Sequence, residues 1–211
     1  LYAGRIITIG TLLAVFLSTS DEMLPIMISE SVGAAMIVKI LAVKVLVAVL
    51  AGFIIDFIFR KNEKNMQIEH LCEQHHCHCE NGIWKSALHH TIEIFIYILV
   101  VSLAMNLLIA WIGEDVLGSI ILDRPVIGTL LAGLVGLIPN CAASVIVTKL
   151  YLGGVLSAGA MLAGLLSGTG VGLLVLIRVN DNRRENLRFV CLLYAVGVAA
   201  GIVIEMLGIT F

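Results

Sequence analysis

Charged residues are scarce in this chain of 211 residues: Asp, Glu, Lys and Arg together make up 13% of it, about half their share in an average soluble domain. Aromatic residues contribute only 6%, whereas hydrophobic residues contribute 60%. A net charge of -2 provides no basic surface for nucleic acid. The composition excludes an ordinary soluble domain. It predicts an all-α, polytopic integral protein of the cell membrane whose main partner is the lipid bilayer.

Several motifs of enzymes and cofactor proteins are absent. The sequence contains no G-x-x-x-x-G-K-[ST] loop for nucleotide phosphates and no H-E-x-x-H zinc motif. Five cysteines occur without a strict C-x2-C pair and without the pattern of a disulfide framework. We therefore expect neither enzymatic activity nor a tightly bound cofactor, and no coupling to ATP by this chain.

Apolar runs of about 20 residues, the length that a helix needs to cross a hydrocarbon core of about 30 Å, occur five times. The predicted spans lie at about 5–28, 33–59, 88–111, 153–177 and 186–209. A sixth apolar segment is interrupted by Pro139.

An internal duplication organises these segments. A shift of 149 positions aligns residues 1–28 with 150–177 at ten identities and without a gap, and it also aligns Asp56 with Glu205. These two acids lie near the ends of spans, where interfacial water would solvate them. About sixty residues before Leu150 have no counterpart before Leu1, so we expect the first repeat to lack its N-terminal part.

Loop charges predict the topology, because short cytoplasmic loops are enriched in Lys and Arg. The two basic loops contain Arg60, Lys61, Lys64 and Lys85, and Arg178, Arg183, Arg184 and Arg188. Both loops are cytoplasmic if the Pro139 segment enters the membrane and returns, and its arms of roughly 20 Å are too short to cross. The sequence therefore predicts a re-entrant hairpin and, from the count of crossings, inverted repeats, an architecture of transporters.

The predicted organisation has three parts. Residues 1–59 form the C-terminal part of the first repeat with two spans, and 60–86 form a cytoplasmic linker rich in His and Cys. Residues 87–211 form the second repeat, with three spans and the re-entrant hairpin at 124–151.

Polar residues interrupt spans one and four at matching positions, which predicts broken helices. The candidate pathway residues here are Ser18, Thr19, Ser20, Asp21 and Glu22 in span one, and Ser167 and Thr169, which alternate with two glycines, in span four. Carboxylates inside hydrocarbon cost about 2.5–3.5 kcal/mol each on insertion scales, so the acidic pair is expected to face a wet cavity or a cation. The alternatives are an interfacial position for the acids and tight helix packing at the small residues.

The hairpin tip supplies further candidate ligands for the pathway: Pro139, Asn140, Cys141 and Ser144. Proline frees backbone carbonyls, and the other three offer an amide, a thiol and a hydroxyl, of which the thiol favours a soft ion. The alternative is that Asn140 caps the second arm and Cys141 packs as a small hydrophobe.

Metal ligands are concentrated in the linker. The tract contains His70, Cys72, His75, His76, Cys77, His78 and Cys79, more than the four ligands of one tetrahedral zinc ion. Its composition is typical of loose metal collection, although a plain solvated linker is the alternative. A second set, His89, His90 and Glu93, shares one helical face and suits a divalent metal or an interfacial polar cluster.

Two segments carry a family resemblance: GLIPNCAASVIVTKLYLGGVLSAGAMLAGLLSGTGVGLLVLI and LYAGRIITIGTLLAVFLSTSDEMLPIMISE. They resemble the ten-span heavy-metal exporters, also described as arsenic-efflux proteins or manganese transporters, over nearly the whole chain. The resemblance implies heavy-metal efflux and an N-terminally truncated member whose missing part holds a second Pro-x-Cys hairpin. More distantly, the Pro-x-Cys tip is similar to the arsenical permeases.

Together these features predict a secondary-active exporter of divalent transition-metal ions, with the ion as substrate or loop ligand. Exchange with protons through Asp21 or Glu22 would drive it. One alternative is a permease for arsenicals or another small inorganic solute, in which the His/Cys linker only regulates. A non-transporting metal sensor is a third class, and homo-oligomerisation is left open.

Overall fold

The computed structural model describes residue 2 and residues 7–19, 23–59, 83–112, 125–180 and 182–209. Every regular element in these ranges is an α-helix, and there are nine of them. They are α1 Ile9–Ser18, α2 Met23–Ser29, α3 Ala34–Phe59, α4 Ile83–Ile112, α5 Pro125–Gly136, α6 Cys141–Leu152, α7 Ala158–Ser167, α8 Gly172–Val179 and α9 Arg183–Met206.

Within the described part of the chain, four candidate spans are long and apolar enough to cross a membrane: Ile9–Ser29, of which residues 20–22 lie outside the described ranges, Ala34–Phe59, Ala158–Val179 and Arg183–Met206. Large apolar side chains stay exposed along them, such as Phe53 at 74% and Phe57 at 80% of their surface. Water would penalise such faces and lipid would not. The expectation of an all-α protein with membrane-spanning helices is thus confirmed at the level of helix content, length and composition.

The helix boundaries repeat with the same shift of 149 residues as the sequence. Helix α1 coincides with α7 at both ends, and the first residues of α2 and α3 coincide with those of α8 and α9. The N-caps correspond as well, since Thr8 and Ser157 each accept a hydrogen bond from the amide three residues ahead. The duplication therefore extends from sequence to local structure, including a break within spans one and four.

Helix α7 lies at the centre of the packing. All ten of its residues are buried, and it contacts α1, α5, α6 and α9. On one side an apolar cluster joins it to α2, α5 and α6, with Met27 and Val147 fully buried. On the other side a second cluster joins it to α1, α8 and α9, with Leu17 and Phe189 fully buried. The break at the end of α7 is thereby held inside the protein.

The Pro139 segment consists of two helices of 12 residues, α5 and α6, separated by residues 137–140. The two helices contact each other, and both contact α7. Helix α4 is continuous over the predicted span 88–111 and begins at Ile83, inside the predicted linker 60–86. The remainder of that linker, residues 60–82, lies outside the described ranges.

Candidate functional site

The hydroxyl groups at the two helix breaks differ in their hydrogen bonding. In the first repeat, Ser18 donates to the carbonyl of Val15 at 3.0 Å, and Thr19 donates to the carbonyl of Phe16 at 2.7 Å. In the second repeat, the hydroxyls of Ser167 and Thr169 are buried and have no hydrogen-bond partner among the described residues. Because an unpaired buried hydroxyl costs about 1–3 kcal/mol, these two groups oppose stability and are candidates for contact with a ligand.

The second break lacks a threonine hydroxyl that the first break uses to donate to a backbone carbonyl. Thr19 corresponds to Gly168, and Phe16 corresponds to Leu165. The Thr19 hydroxyl covers the Phe16 carbonyl, whereas Gly168 has no side chain with which to cover the Leu165 carbonyl. The Leu165 carbonyl instead accepts a hydrogen bond from Lys44 at 3.4 Å.

Lys44 joins the two breaks. Its side chain is only 1% exposed, and its ammonium donates to the carbonyl oxygens of Thr19, at the end of α1, and Leu165, in the last turn of α7. It projects from α3 ten residues after Ala34, about 15 Å along a predicted membrane span. A charge buried there is expensive unless it is compensated. Helix C-termini carry about -0.5 charge each, so both helix ends stabilise the ammonium.

Lys44 is not among the residues predicted from the sequence, although a signal for it is present there. It is a single lysine deep within an otherwise apolar run, and intramembrane ionisable residues are functional candidates by default. What the sequence did not reveal is its contact with both helix ends. Main-chain carbonyls leave no pattern of residue types, so only the structure connects Lys44 with Thr19 and Leu165.

Carboxylates hold the other ends of the same two helices. Asp56 accepts from the amide of Gly10 at 2.9 Å and from the hydroxyl of Thr8 at 2.6 Å. At the equivalent position, Glu205 accepts from the amide of Gly159 at 3.2 Å. Solvation at a span end was the expected role, and the structure adds helix capping to it. Helices α1 and α7 thus have a carboxylate at the N-terminus and the Lys44 ammonium at the C-terminus.

Close contact between the helix backbones brings each carboxylate within hydrogen-bonding distance of the helix that it caps. A Cβ atom on Gly10 would overlap the carbonyl oxygen of Gly52, and one on Gly159 would overlap the carbonyl oxygen of Gly201. The repeat therefore places a glycine on both helices at each crossing, α1 with α3 and α7 with α9. Larger residues would separate the helices and lengthen the capping hydrogen bonds.

The tip between α5 and α6 lies next to the second break. Asn140 is buried, and its side-chain oxygen accepts from the amide of Ala142 at 3.3 Å, so it caps α6. Cys141 is exposed rather than packed as a buried hydrophobe, and Ser144 donates to its carbonyl at 2.9 Å. Pro139 occupies the turn itself.

Main-chain contact connects that turn to α7. A Cβ atom on Gly136 would overlap the carbonyl oxygen of Gly164, one turn before the break. The structure thus brings the start of the turn against the last turn of α7. Together with Lys44, this contact places three predicted pathway elements around the end of one helix.

The predicted metal ligands are described only in part. Glu93 pairs with Arg178 at 2.6 Å, with both side chains about half exposed. No group of three His, Cys, Asp or Glu residues within the described ranges is arranged to hold a metal ion. Residues outside those ranges are Ser20, Asp21, Glu22, His70, Cys72, His75, His76, Cys77, His78 and Cys79, and the side chains of His89 and His90 are likewise outside. Metal binding by these residues stays a prediction.

Comparison of the chain with models of protein families, with curated protein sequences and with solved structures gives no match.

Proposed function

We propose that this chain is part of a secondary-active transporter of the cell membrane that exports divalent transition-metal ions. The observation that carries the proposal is the meeting of two repeat-related broken helices at one buried ammonium, Lys44. Broken helices whose ends point at a shared central position are a recurrent device of secondary transporters. Irregular backbone at that depth is tolerated where it is enclosed by protein or lines a cavity.

The proposal includes inverted repeats and a re-entrant hairpin. Helices α5 and α6 have 12 residues each, about 18 Å, which is short of a hydrocarbon core of about 30 Å. A hairpin that enters and returns leaves both basic loops on the cytoplasmic side, as the positive-inside rule favours. Two repeats of opposite orientation then allow alternating access around the breaks, and the resemblance to the ten-span exporters is part of the same hypothesis.

The choice of a metal cation rests on the chemistry of the side chains. The His/Cys tract at 70–79 offers imidazole and thiolate ligands, which suit soft and borderline ions better than alkaline-earth ions. Asp21 and Glu22 add carboxylates beside the first break, and Cys141 adds an exposed thiol at the tip. In this mechanism the tract collects ions such as manganese or zinc in the cytoplasm, and the breaks and the tip conduct them.

A second candidate is a permease for arsenicals or another uncharged or anionic inorganic solute. The Lys44 ammonium favours an anionic solute, because a positive charge at the junction of the breaks attracts an anion and repels a metal cation. Cys141 would then supply a thiol contact, and the His/Cys tract would only regulate.

Flux into proteoliposomes that contain the full-length protein tests both candidates. Uptake of Mn²⁺, Zn²⁺, Co²⁺ and Ni²⁺ is measured separately from uptake of arsenite. We expect metal flux in the wild type and none in Cys141→Ser or Asp21→Asn. Deletion of residues 66–82 should leave the flux and only weaken the apparent affinity for the metal. Cys191→Ser, at an exposed cysteine on α9, is the matched control for the thiol. Arsenite flux that these metals do not affect would favour the second candidate, and wild-type metal flux in both point variants would place the pathway elsewhere.

A further inference from the structure

The ends of α1 and α7 form an oxygen-lined position that already holds a positive charge. We propose that the carbonyl oxygens of Thr19 and Leu165 are a binding position for a small monovalent cation. Lys44 fills it in this structure, and a free cation fills it when Lys44 withdraws. As a step in a transport cycle this proposal rests on the proposed function, whereas binding at the position can be tested without transport.

The charge of the position favours one positive charge over two. The position holds a singly charged ammonium in this structure, and each of the two helix C-termini contributes about -0.5 elementary charge that attracts a cation. Backbone carbonyls are hard oxygen ligands that replace the hydration shell of such ions in membrane proteins. The thiols and imidazoles predicted for the transported metal are a different set of ligands.

The second repeat is adapted to leave one of these oxygens available. In the first repeat, the Thr19 hydroxyl at 2.7 Å covers the Phe16 carbonyl, which corresponds to that of Leu165. Gly168 replaces threonine at the second break, where an added Cβ atom would make one tight contact with the main chain. A Cβ atom there would lie 3.3 Å from the Gly164 carbonyl oxygen and 3.5 Å from that of Leu165. Glycine at this position therefore leaves the Leu165 oxygen open to a cation.

Competition for the same oxygens sets the role of Lys44. One ammonium and one free cation cannot contact both carbonyls together, so a cation enters only as Lys44 leaves. In the proposed transporter this exchange links entry of a small monovalent ion to withdrawal of Lys44. While Lys44 contacts the two carbonyls, it excludes the ion from the position.

The test replaces Lys44 with an uncharged residue of similar length, Lys44→Met, in the full-length protein purified in detergent. Thermal unfolding is followed while LiCl, NaCl or KCl replaces N-methyl-glucamine chloride, whose cation is too large for the position, at constant ionic strength. We expect at least one alkali ion to raise the Tm of Lys44→Met saturably, by roughly 5–10 °C at ~100 times its Kd. The wild type and Lys39→Met, at an exposed lysine on the same helix, should not respond.

A second variant tests the Leu165 carbonyl oxygen by giving it a hydroxyl partner. Gly168→Thr supplies the hydroxyl that the first repeat uses, so the double variant Lys44→Met/Gly168→Thr should be more stable than Lys44→Met without salt and should respond less to alkali ions. A Lys44→Met protein whose Tm is as insensitive to all three ions as the wild type overturns the proposal. Failure of that variant to fold even when purified in alkali chloride overturns it too, because a free cation should replace the ammonium. Absence of metal flux with a positive alkali-ion response would refute the proposed transport function only.

Discussion

The Glu205 carboxylate accepts a hydrogen bond from the amide of Gly159 at 3.2 Å and so closes the N-terminus of α7. The contact recurs 149 positions earlier, where Asp56 accepts from Gly10 at 2.9 Å at the start of α1. In each repeat a carboxylate near the end of the long helix caps the broken helix that precedes it. Because the contact occurs twice with the same register, it belongs to the duplicated unit.

Removing either carboxylate should destabilise the protein. Loss of a side-chain acceptor at a helix N-terminus costs about 0.5–2 kcal/mol, so we expect Glu205→Ala and Asp56→Ala each to lower the free energy of unfolding by that amount. Glu205→Gln keeps an acceptor and loses only the interaction of the charge with the helix dipole, about 0.3–1 kcal/mol. Chemical denaturation in detergent measures the series. Glu30→Ala, at an exposed position after α2, is the control, and a Glu205→Ala protein that matches it would show that the cap is dispensable.

The requirement for glycine at the helix crossings can also be tested by measuring the stability of substituted proteins. A Cβ atom on Gly159 would overlap the backbone oxygen of Gly201, which cannot move aside as a flexible side chain does. We expect Gly159→Ala to cost about 1–3 kcal/mol through overpacking, measured as a lower Tm. The matched substitution is Gly33→Ala, where an added Cβ meets nothing within 4 Å. Equal Tm values for the two variants would contradict the close contact.

Variants of the Glu93–Arg178 pair test whether Glu93 is a metal ligand or only a member of a surface ion pair. Both side chains are about half exposed, so the pair itself contributes little, about 0–1 kcal/mol, and salt screens it. We expect Glu93→Gln to leave the Tm nearly unchanged. If His89, His90 and Glu93 bind metal as the sequence predicts, the same variant weakens equilibrium binding of Zn²⁺ to the purified protein. Arg178→Gln is the control, because it breaks the ion pair and leaves the metal ligands intact; parallel losses of binding in both variants would exclude direct ligation by Glu93.

Sequence predicted most reliably the features that hydrophobic length and periodicity encode. The apolar runs became the helices α3, α4 and α9, and the polar interruptions at Ser18 and Ser167 became the ends of α1 and α7. The 149-residue register predicted helix boundaries because both copies meet the same packing requirements. Contacts through backbone atoms were not predictable, and Lys44 shows why. It contacts the carbonyls of Thr19 and Leu165, and such main-chain groups occur in every residue and become specific only when two helices end at one place.

The same limit applies to the carboxylates. Near a span end, Asp56 and Glu205 satisfy the rule for interfacial solvation, and that rule does not tell a solvated acid from one that caps a neighbouring helix. The spacing within each repeat, 46 residues from Gly10 to Asp56 and from Gly159 to Glu205, was a usable signal. An acid that recurs together with a glycine at a fixed distance indicates a contact between them more strongly than either residue alone.

The buried hydroxyl of Ser167 gives the sharpest contrast between stability and function. It has no hydrogen-bond partner among the described residues, and it lies so close to α9 that a Cβ atom on Gly197 would be 2.6 Å from its oxygen. Ser167→Ala removes an unsatisfied polar group, so the Tm should stay constant or rise, by an amount equivalent to at most about 1–3 kcal/mol. Ser18→Ala, at the equivalent position, removes a hydroxyl that donates to the Val15 carbonyl and should gain nothing.

Transport by the same pair of variants shows whether the unpaired hydroxyl serves the pathway. If it is retained for contact with the transported ion, Ser167→Ala combines an unchanged or higher Tm with reduced metal flux in proteoliposomes. A destabilised Ser167→Ala protein would mean that the hydroxyl makes a structural hydrogen bond, and full flux at wild-type stability would remove Ser167 from the pathway. Because an evolved cost in stability is expected where a group is kept for a ligand, a rise in Tm that accompanies a loss of flux assigns the hydroxyl of Ser167 to transport.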